Sequence, residues 1–416
     1  MIIKNFKKLS KNPKKKTALL ILEAGLDAAK PKISIEKFVK GKIKLKQYQN
    51  VYLVAFGKAA DSMTKAVDSI TKIKGGIIVM PKGSHSLVTS KKFQIFKAGH
   101  PLPDQTSIRA AKTALQFVES RSKNDFIIFL VSGGSSALMS FPNGINLNEK
   151  ISLTKQLLKS GATIQEINCI RKHLSKVKGG CLVQNMKCGA IALVMSDVLG
   201  DDLSSIASGM TYCDKTTFKD ALKIIKKYKL GTKIPKKVQT ILKNGVAKKI
   251  PETPKRSKFK HVIIANNSQC LESMKKISKK FKISTKSITI SGDVKQVATN
   301  LARLAPKKKK SALIFGGEPT VIVKGKGKGG RNQELVLRLI AKLQNSKRNY
   351  IIASIGTDGI DGNTKYAGAI SENIAKISVK SYLKKNNSNS YFKKHGGLIN
   401  TGYTHTNLLD VGVILI

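Results

Sequence analysis

The stretch FIIFLVSGGSSAL (126–138) decides the fold. Its first six residues are all apolar, which is typical of a parallel strand that helices cover on both faces. The serines and glycines that follow indicate a tight corner into a helix. The same rhythm recurs in VYLVAF (51–56), GIIVM (76–80) and GAIALVM (189–195). Strands that alternate with helices in this way predict an α/β fold with a parallel sheet.

A change of composition divides the chain. The segment KNGVAKKIPETPKRSKFK (243–260) is rich in lysine and proline and has little apolar periodicity, which predicts a linker. The rhythm of strands and helices resumes at HVIIA (261–265). We therefore expect a larger N-terminal domain at 1–250, a linker at 251–260 and a smaller C-terminal α/β domain at 261–416.

The charge of the chain is strongly positive, with 77 Lys and Arg residues against 24 Asp and Glu residues and a formal net charge of +53. Most of the basic residues are lysines, and they are spread along the whole sequence. Nucleic-acid-binding proteins usually concentrate their charge on one face and use arginine for bidentate contacts. We therefore expect no nucleic-acid partner, although a positive field attracts anionic metabolites such as ATP.

The cysteines and the N-terminal segment indicate a compartment. The five cysteines are Cys169, Cys181, Cys188, Cys213 and Cys270, and none belongs to a CxxC pair. This pattern argues against a disulfide framework and against a zinc site. The first residues contain no apolar run of signal-peptide length, and no stretch reaches the ~20 apolar residues that a membrane span needs. We expect a cytoplasmic protein with no membrane partner.

The corner after the 126–131 strand is a candidate phosphate-binding loop. It consists of Ser132, Gly133, Gly134, Ser135 and Ser136. Glycines let a backbone approach an anion closely, and a helix N-terminus presents free N–H groups to it. The alternative is an ordinary strand-to-helix turn with capping serines. Two adjacent glycines among three serines favour phosphate binding.

The segment GKGKGGRNQE (325–334) is the most distinctive in the chain. It has neither the GxxxxGK[ST] pattern of a Walker A loop nor a GxGxxG fingerprint in the usual position after a strand. A flexible glycine loop that delivers Arg331 to a phosphate would explain the composition, because the planar guanidinium suits a phosphoryl group in transfer. The alternative, a solvated hairpin, suits Lys326 and Lys328 better than Arg331.

One lysine and several carboxylates also follow predicted strands. Lys58 follows the first strand and would neutralise phosphate charge, unless it is one more surface lysine. Asp197 and Asp358 follow later strands. Carboxylates beside phosphates usually hold Mg²⁺, and one of them can instead accept the proton of an attacking hydroxyl. The metal ligands stay unknown, with Asp197 and Asp358 as candidates, while Asp358 and Asp361 also suit tight Asp-Gly turns.

Basic residues and histidines offer further candidates. His100 precedes a proline and has no Ser or Asp partner at a defensible spacing, so a structural role is more typical of it. Arg171 and Lys178, on either side of His173, are candidates to bind a substrate carboxylate. A helix that only exposes a basic face is the alternative.

Corners rich in Gly, Ser and Asp recur after the predicted strands of both domains. Ligands of open α/β sheets bind beyond the carboxyl ends of the strands. Together these corners predict an active site in a cleft between the two domains.

Eight segments, taken in order, resemble the glycerate kinase family that ends in a MOFRL domain, the ATP:glycerate 2-phosphotransferases. The segments are FGKAA, GHPLPD, LVSGGSSAL, NCIRKHLSKVKGG, SDVLGDDLSSIASG, GGEPTVIVKGKGKGGRNQE, GTDGIDGNTKYAGA and TGYTHTN. They extend from about residue 51 to about residue 410 and so cover nearly the whole chain. The combination of GGEPT, GKGKGGRNQE and GTDGIDG is the most specific part.

The resemblance implies a large Rossmann-like N-terminal domain, a smaller C-terminal α/β domain and an active site in the cleft between them. The positions that match the family's catalytic motifs are Lys58, Arg331 and Asp197. The nucleotide is expected at the 132–136 corner and at Gly316, Gly317 and Asp358. The implied reaction converts (R)-glycerate and ATP to 2-phosphoglycerate and ADP with Mg²⁺ or a similar ion. Glycerate and ATP are then the expected partners, and a homodimer is possible.

Two loops depart from the family pattern. The chain has SGMT (208–211) where the family usually has SGPT, and TGYTHTN (401–407) where it usually has a TGPTGTN-like loop. Both prolines and one glycine are thus lost, which affects loop shape and fine substrate choice. Some family members carry the label of a hydroxypyruvate reductase. An NAD(P)-dependent reductase is therefore the alternative, although no nicotinamide fingerprint follows a predicted strand.

Overall fold

The computed structural model has the α/β architecture that the sequence predicts, with two six-stranded sheets. It describes residues 1–42, 45–373 and 378–416. In this described part of the chain, no helix is both long enough and apolar enough to cross a membrane. The helices are α1 (Phe6–Leu9), α2 (Pro13–Ala28), α3 (Pro31–Lys42), α4 (Ala60–Asp68), α5 (Gln105–Glu119), α6 (Ser135–Leu138), α7 (Leu147–Lys159), α8 (Ile164–His173), α9 (Phe218–Lys227), α10 (Lys236–Val246), α11 (Asn267–Lys280), α12 (Val294–Leu304), α13 (Arg331–Leu343), α14 (Lys380–Lys384) and α15 (Ser388–His395).

The first sheet contains β1 (Asn50–Phe56), β2 (Gly75–Pro81), β3 (Phe93–Ala98), β4 (Asp125–Val131), β5 (Gly189–Met195) and β6 (Lys260–Ala265). Their order across the sheet is β3-β2-β1-β4-β5-β6. β1 pairs in parallel with β2 and β4, and parallel pairing continues from β2 to β3 and from β4 to β5. Every residue of β4 is buried. The strand order reverses between β1 and β4, and sheets of this order bind ligands in the crevice at the reversal.

The second sheet contains β7 (Ser284–Asp293), β8 (Ser311–Thr320), β9 (Ile351–Gly356), β10 (Gly368–Glu372), β11 (Leu398–Ile399) and β12 (Asp410–Leu415). Their order is β11-β10-β9-β12-β8-β7. Only the β7–β8 pair is parallel, so this sheet is mixed. The last strand lies between β8 and β9, and its first residue, Asp410, pairs with Gly317 on one side and Gly356 on the other.

The two compact units of the chain differ from the predicted domains at the N-terminus. The first unit is Pro31–Ile264, and the second unit combines Met1–Lys30 with Ala265–Ile416. The predicted N-terminal domain, 1–250, included the first helices. The difference arises because the apolar stripe of α2, which contains Leu19 and Leu22, is buried against α11 and β12. Periodicity identifies such a stripe in the sequence but not the surface that covers it.

Residues 251–260, which the composition predicts as a linker, pack on the first unit. The Thr253 hydroxyl donates a hydrogen bond to Asp214 at 3.0 Å, and both residues are buried. The ring of Phe259 stacks on that of Phe129 in β4, with centroids 5.5 Å apart. The segment lacks apolar periodicity because single anchoring side chains, rather than a helical or strand face, attach it to the unit.

Candidate active site

The corner after β1 lies directly beside the corner after β4. The Lys58 N–H donates a hydrogen bond to the Gly133 carbonyl at 2.9 Å, and the Ala59 N–H donates to Ser132 Oγ at 3.0 Å. Gly57 has a φ of +124°, and a β-carbon on it would lie 2.2 Å from Ser132 Oγ. Only glycine therefore fits there without displacing the second corner. The fold thus places Lys58 at the crevice where the strand order reverses.

His100 lies at the same crevice. Gly134 has a φ of +83°, and a β-carbon on it would lie 3.1 Å from both Cδ2 and Nε2 of His100 and 3.3 Å from Lys58 Cγ. The imidazole and the lysine stem therefore face the same glycine. The sequence favoured a structural role for His100, because its proline-containing loop carries no signal of the strand corner that it meets.

The serines of the 132–136 corner have two different roles. Ser132 Oγ accepts a hydrogen bond from the turn backbone, and Ser135 Oγ donates to the Phe56 carbonyl at 3.0 Å. These two hold the turn, as the capping alternative predicts, and α6 beyond them has only four residues. Ser136 Oγ instead lies 2.7 Å from Ser208 Oγ and accepts hydrogen bonds from two basic side chains. Ser136 therefore belongs to a polar site outside the turn.

Three cationic side chains, the basic cluster of Lys150, Arg171 and Lys178, converge on this region. Arg171 Nη2 and Lys178 Nζ both donate to Ser136 Oγ, the latter at 2.9 Å. Lys150 Nζ donates to Ser140 Oγ at 2.5 Å. Lys178 is fully buried. The sequence identified Arg171 and Lys178 as candidates but not Lys150, which is one of several lysines in α7 and carries no local signal.

Burial disfavours the charged forms of the basic cluster. It lowers the pKa of Lys150 to about 7 and that of Arg171 to about 10. The pKa of Lys178 falls well below its ordinary value because of burial and the nearby charges of Arg171 and Lys150. Arg171 Nε is buried and has no hydrogen-bond partner among the described residues. Cationic donors that lack an acceptor are suited to an oxyanion.

His173 has a structural environment, and the exposed-helix alternative does not describe it. Its Nδ1 lies 2.8 Å from the Cys169 carbonyl, its Nε2 lies 3.1 Å from Glu252, and its ring packs edge-on against Phe218. The side chain is buried. These contacts fix His173 within the packing of α8 and leave neither ring nitrogen without a partner.

In the second unit, Arg331 is held by two carboxylates. Arg331 Nε and Nη2 donate to the two oxygens of Asp410, at 2.6 and 3.1 Å, and Nη1 donates to Glu318 Oε1 at 2.6 Å. Asp410 is buried, whereas the Arg331 side chain is one-third exposed at 33%. The guanidinium is therefore fixed in orientation and still accessible. Asp410 carries no local sequence signal, since only the pairing of β12 with β8 brings it to Arg331.

Burial and charge act in opposite directions on this ion pair. Burial raises the pKa of the Asp410 carboxyl to about 7, while the charge and hydrogen bonds of Arg331 oppose the rise. The two carboxylates raise the pKa of the Arg331 guanidinium despite its burial. Arg331 is thus a permanent cation at any physiological pH.

The glycine loop 325–330 is supported along its length. The Gly325 N–H donates to Asn386 Oδ1 at 3.0 Å, and the Gly327 N–H donates to the Lys385 carbonyl at 2.9 Å. A β-carbon on Gly325 would lie 2.4 Å from the same carbonyl. The glycines therefore allow the loop to lie against a neighbouring backbone, which explains the composition without the flexibility that the sequence suggested.

Gly316 and Gly317 are explained by packing within β8. A β-carbon on Gly317, whose φ is +144°, would lie 1.9 Å from the Ile290 carbonyl, and one on Gly316 would lie 2.2 Å from Asn267 Oδ1. Glycine is thus required at both positions by the close approach of β7 and α11. Their part in nucleotide binding stays a prediction.

Asp361 caps the helix that begins with Arg331. Its Oδ1 accepts a hydrogen bond from the Asn332 N–H and its Oδ2 accepts one from the Gln333 N–H, both at 2.9 Å. The carboxyl is buried, and burial raises its pKa. Since the first N–H groups of a helix have no partner inside the helix, Asp361 fixes the start of α13 and so the position of Arg331.

We expect Asp361→Ala to lower the free energy of unfolding by about 2–4 kcal/mol, because it leaves two buried N–H groups without acceptors. Asp293→Ala removes the more exposed cap of α12 and should cost about 1 kcal/mol. Urea titrations of both variants measure the difference. Equal losses would contradict the capping role of Asp361.

Asp358 lies in the corner that follows β9, and Asp410 is the first residue of β12. Both carboxylates lie near Gly356, the last residue of β9. A β-carbon on Gly356 would lie 3.1 Å from Asp358 Oδ1 and 3.4 Å from Asp410 Oδ1. Asp358 Oδ1 also accepts a hydrogen bond from the Ile360 N–H at 3.1 Å, the turn contact expected of an Asp-Gly corner. Asp197 follows β5 in the other unit. Among the described residues, no group of three His, Cys, Asp or Glu side chains is arranged to hold a metal.

Two family models match the chain. The domain of unknown function DUF4147 matches residues 17–243, and the MOFRL family matches residues 311–410. The two matches lie largely in different compact units.

The relatives and solved structures agree with the family models. The D-glycerate 2-kinase of Thermotoga maritima is 39% identical over 97% of this chain and 98% of its own length. The crystal structure of a T. maritima glycerate kinase matches with a TM-score of 0.84 and 37% identity, over 96% of this chain and 99% of that one. A protein of Agrobacterium vitis with the provisional name hydroxypyruvate reductase is 33% identical over 95% of this chain and 93% of its own. The chain therefore belongs to the glycerate kinase family that carries a C-terminal MOFRL domain.

Proposed function

We propose that this protein is an ATP-dependent glycerate 2-kinase, which transfers the γ-phosphoryl group of ATP to the 2-hydroxyl of (R)-glycerate. The observation that carries the proposal is the position of Lys58 against Gly133 and Gly134 at the crevice between β1 and β4. An ammonium group there can neutralise an anion where sheets of this order bind their ligands. The name of the T. maritima relative, D-glycerate 2-kinase, supports glycerate as the acceptor.

The proposed mechanism depends on the neutralisation of charge. In phosphoryl transfer, negative charge spreads over the equatorial oxygens of the group in transfer. The 2-hydroxyl oxygen forms a bond to the γ-phosphorus while the bond to the β–γ bridging oxygen breaks, and that electron pair leaves with ADP. The hydroxyl proton passes to a carboxylate, a role that we assign to Asp197.

Lys58 and Arg331 supply the positive charge in this mechanism. We assign to each of them the neutralisation of phosphate charge. Asp410 and Glu318 hold the guanidinium of Arg331 in one orientation. Donors that are fixed before the reaction need no reorganisation when charge develops. Such preorganised electrostatic stabilisation is usually the largest single contribution to catalysis.

ATP and a divalent ion complete the proposal. We assign the nucleotide to the 132–136 corner with Gly316, Gly317 and Asp358. Mg²⁺ fits a site of this kind, because it binds through one or two carboxylates and phosphate oxygens and keeps several waters. Asp197 and Asp358 are the candidates to hold it, and the ion would supply further charge neutralisation. A cytoplasmic location, expected from the cysteine pattern, belongs to the same proposal.

The product of the reaction tests the function directly. The protein is incubated with (R)-glycerate, ATP and Mg²⁺, and the product is identified by phosphorus and proton NMR. We expect 2-phosphoglycerate. Formation of 3-phosphoglycerate would contradict the position of transfer, and the absence of any phosphorylated acid would contradict the kinase itself.

A hydroxypyruvate reductase is the second candidate, and the name of the A. vitis relative favours it. In this chain, however, β1 is followed by Gly57-Lys58-Ala59-Ala60, which lacks the GxGxxG pattern of nicotinamide-binding folds. Absorbance of NADH or NADPH in the presence of hydroxypyruvate separates the candidates. We expect no change in that absorbance from a preparation that phosphorylates glycerate.

A further inference from the structure

We propose that the basic cluster of Lys150, Arg171 and Lys178 is an oxyanion site that binds the carboxylate of the acceptor acid. This inference rests on the proposed function, since it names the part of the site that recognises the acid. It assigns substrate selection to side chains of the first unit that do not take part in the transfer of the phosphoryl group.

The cluster is assembled from separate segments around two serines. Lys150 lies in α7, Arg171 in α8 and Lys178 in the turn that follows α8. Lys178 Nζ lies 2.9 Å from both the carbonyl oxygen and the hydroxyl oxygen of Ser136. The hydroxyl of Ser136 also contacts Arg171, and Ser140 contacts Lys150. The sequence separation of these residues shows that the fold, and not one local motif, builds the site.

The charge of the cluster is not balanced by the protein. None of the salt bridges among the described residues includes Lys150, Arg171 or Lys178. The neighbouring Lys172, by contrast, is buried and pairs with Asp214 at 3.2 Å. Buried cations without a carboxylate are unfavourable unless a ligand supplies the negative charge. The contrast between adjacent residues of one helix therefore indicates a binding role for Arg171 and a structural role for Lys172.

One donor of the cluster is left open. Arg171 Nη2 contacts Ser136, but Arg171 Nε is buried and finds no acceptor among the residues that the structure describes. Buried polar groups in native proteins nearly always have a partner, and exceptions commonly mark a site for a ligand or ion. A carboxylate oxygen is an acceptor that this open N–H can bind.

The location and charge favour a carboxylate over a nucleotide phosphate. Gly134 lies beside the stem of Lys58. Ser136 is two residues further along, so the Cα atoms of Gly134 and Ser136 are at most about 7 Å apart. A short hydroxy acid can therefore hold its carboxylate at the cluster and present its hydroxyl toward Lys58. Burial also lowers the pKa of Lys150 and Lys178, so the cluster carries fewer than three charges at neutral pH, which suits a monoanion better than a polyphosphate.

Steady-state kinetics of Lys150→Met and Arg171→Met test this assignment. Each variant loses a charged hydrogen bond to the acid, so we expect the KM for glycerate to rise by about tenfold to 100-fold while the KM for ATP stays unchanged. Lys155→Met, which removes an exposed lysine of the same helix α7, is the matched control and should leave both constants unchanged.

The outcomes separate this inference from the proposed function. Failure of the wild-type protein to phosphorylate glycerate would remove the function itself. If the wild type is active and the variants keep a normal KM for glycerate, the carboxylate assignment is wrong. A rise in the KM for ATP alone would identify the oxyanion as a nucleotide phosphate and would also overturn it. Calorimetric titration of glycerate without nucleotide gives the same comparison independently of turnover.

Lys178→Met distinguishes a binding role from a structural one. Lys178 is fully buried and belongs to none of the described salt bridges, and replacement of such a group by an apolar side chain of similar size is often stabilising. We therefore expect the ligand-free variant to melt at a higher temperature than the wild type and to lose calorimetric binding of glycerate. A lower melting temperature together with normal glycerate binding would show that Lys178 serves packing only, against our proposal.

The pH dependence of the reaction gives a further check. The carboxylate of the acid stays ionised above about pH 4, and Arg171 remains charged at neutral pH, whereas burial lowers the pKa of Lys150 to about 7. As the pH rises through 7, Lys150 loses its charge, and kcat/KM for glycerate should fall. Burial also raises the pKa of Asp410 to about 7, so Asp410 can change the pH profile over the same range. Lys150→Met keeps Asp410, and the comparison with this variant therefore isolates the contribution of Lys150. The variant should lack the Lys150 part of this decline, and an unchanged profile would contradict the assignment.

Discussion

Lys58→Ala is expected to lower kcat by about 10³-fold, because positive charge at a transferring phosphoryl group typically contributes that much or more. The melting temperature should change little. The contact that ties the two strand corners uses the backbone N–H of Lys58, which alanine keeps. The stem of the side chain lies beside Gly134.

Coupled measurement of ADP release with saturating glycerate and ATP checks this result. Lys65→Ala removes an exposed lysine of α4, the helix that follows this corner, and should retain wild-type turnover. Lys58→Arg keeps the charge but changes its shape, so we expect intermediate activity. Near-normal turnover in Lys58→Ala would remove this residue from the mechanism.

Arg331→Ala should also lower kcat by about 10³-fold, the range reported for arginines that stabilise phosphoryl transfer. Unlike Lys58→Ala, this substitution should also destabilise the protein. It leaves Asp410 buried without its partner, and breaking one side of a buried ion pair typically costs about 3–5 kcal/mol. The loss of stability and the loss of catalysis therefore need to be separated.

A second substitution separates them. In the double variant Arg331→Ala with Asp410→Asn, the buried charge is removed, so we expect stability to recover in urea titrations while kcat remains low. The single variant should also lose stability as the pH rises. Burial raises the pKa of Asp410 even beside Arg331, and loss of the guanidinium should raise it further. The folded variant therefore keeps a proton that the unfolded chain releases above about pH 4. Full recovery of turnover in the double variant would contradict a direct role for Arg331.

Arg338→Ala is the matched control for this position. Arg338 lies in the same helix, and its Nε and Nη2 both donate to Glu334 Oε1, at 2.9 and 2.7 Å. Its removal leaves the buried carboxylate of Glu334 with a side-chain contact to Asn386 but without its cation, so we expect a loss of stability of about 3–5 kcal/mol, as for Arg331→Ala. Turnover of this variant should be normal, which ties the expected loss in Arg331→Ala to its position and not to the loss of any arginine from α13.

Much of the fold was predictable because strands and corners are local features. The apolar run 126–131 and the three similar runs correspond to β4, β1, β2 and β5. The runs at 51–56, 126–131 and 189–195 lead into the polar corners predicted after them. Patterns of this kind act over a few residues and so are readable in one dimension. The resemblance to the glycerate kinase family then assigned chemical roles to residues in these corners.

The surface that covers an apolar face was not predictable. The stripe of α2 is evident in the sequence, yet it packs with strands and helices more than 240 residues away. The segment 251–260 has little apolar periodicity, yet Thr253 and Phe259 anchor it to the first unit. Such partners depend on the global arrangement of elements, which local periodicity does not encode.

The sequence by itself determined the chemical groups of this protein: a lysine after the first strand, a serine-glycine corner after the fourth, and an arginine that opens a helix after a glycine loop. Only the tertiary structure decided which groups meet. It brought Asp410 to Arg331 across 79 residues, and it gathered Arg171 and Lys178 around Ser136 and Lys150 at Ser140, with no balancing carboxylate among the described salt bridges. The physical reason is that the type of a corner follows from short-range backbone preferences, whereas charge, burial and pKa depend on neighbours that sheet pairing and helix packing supply.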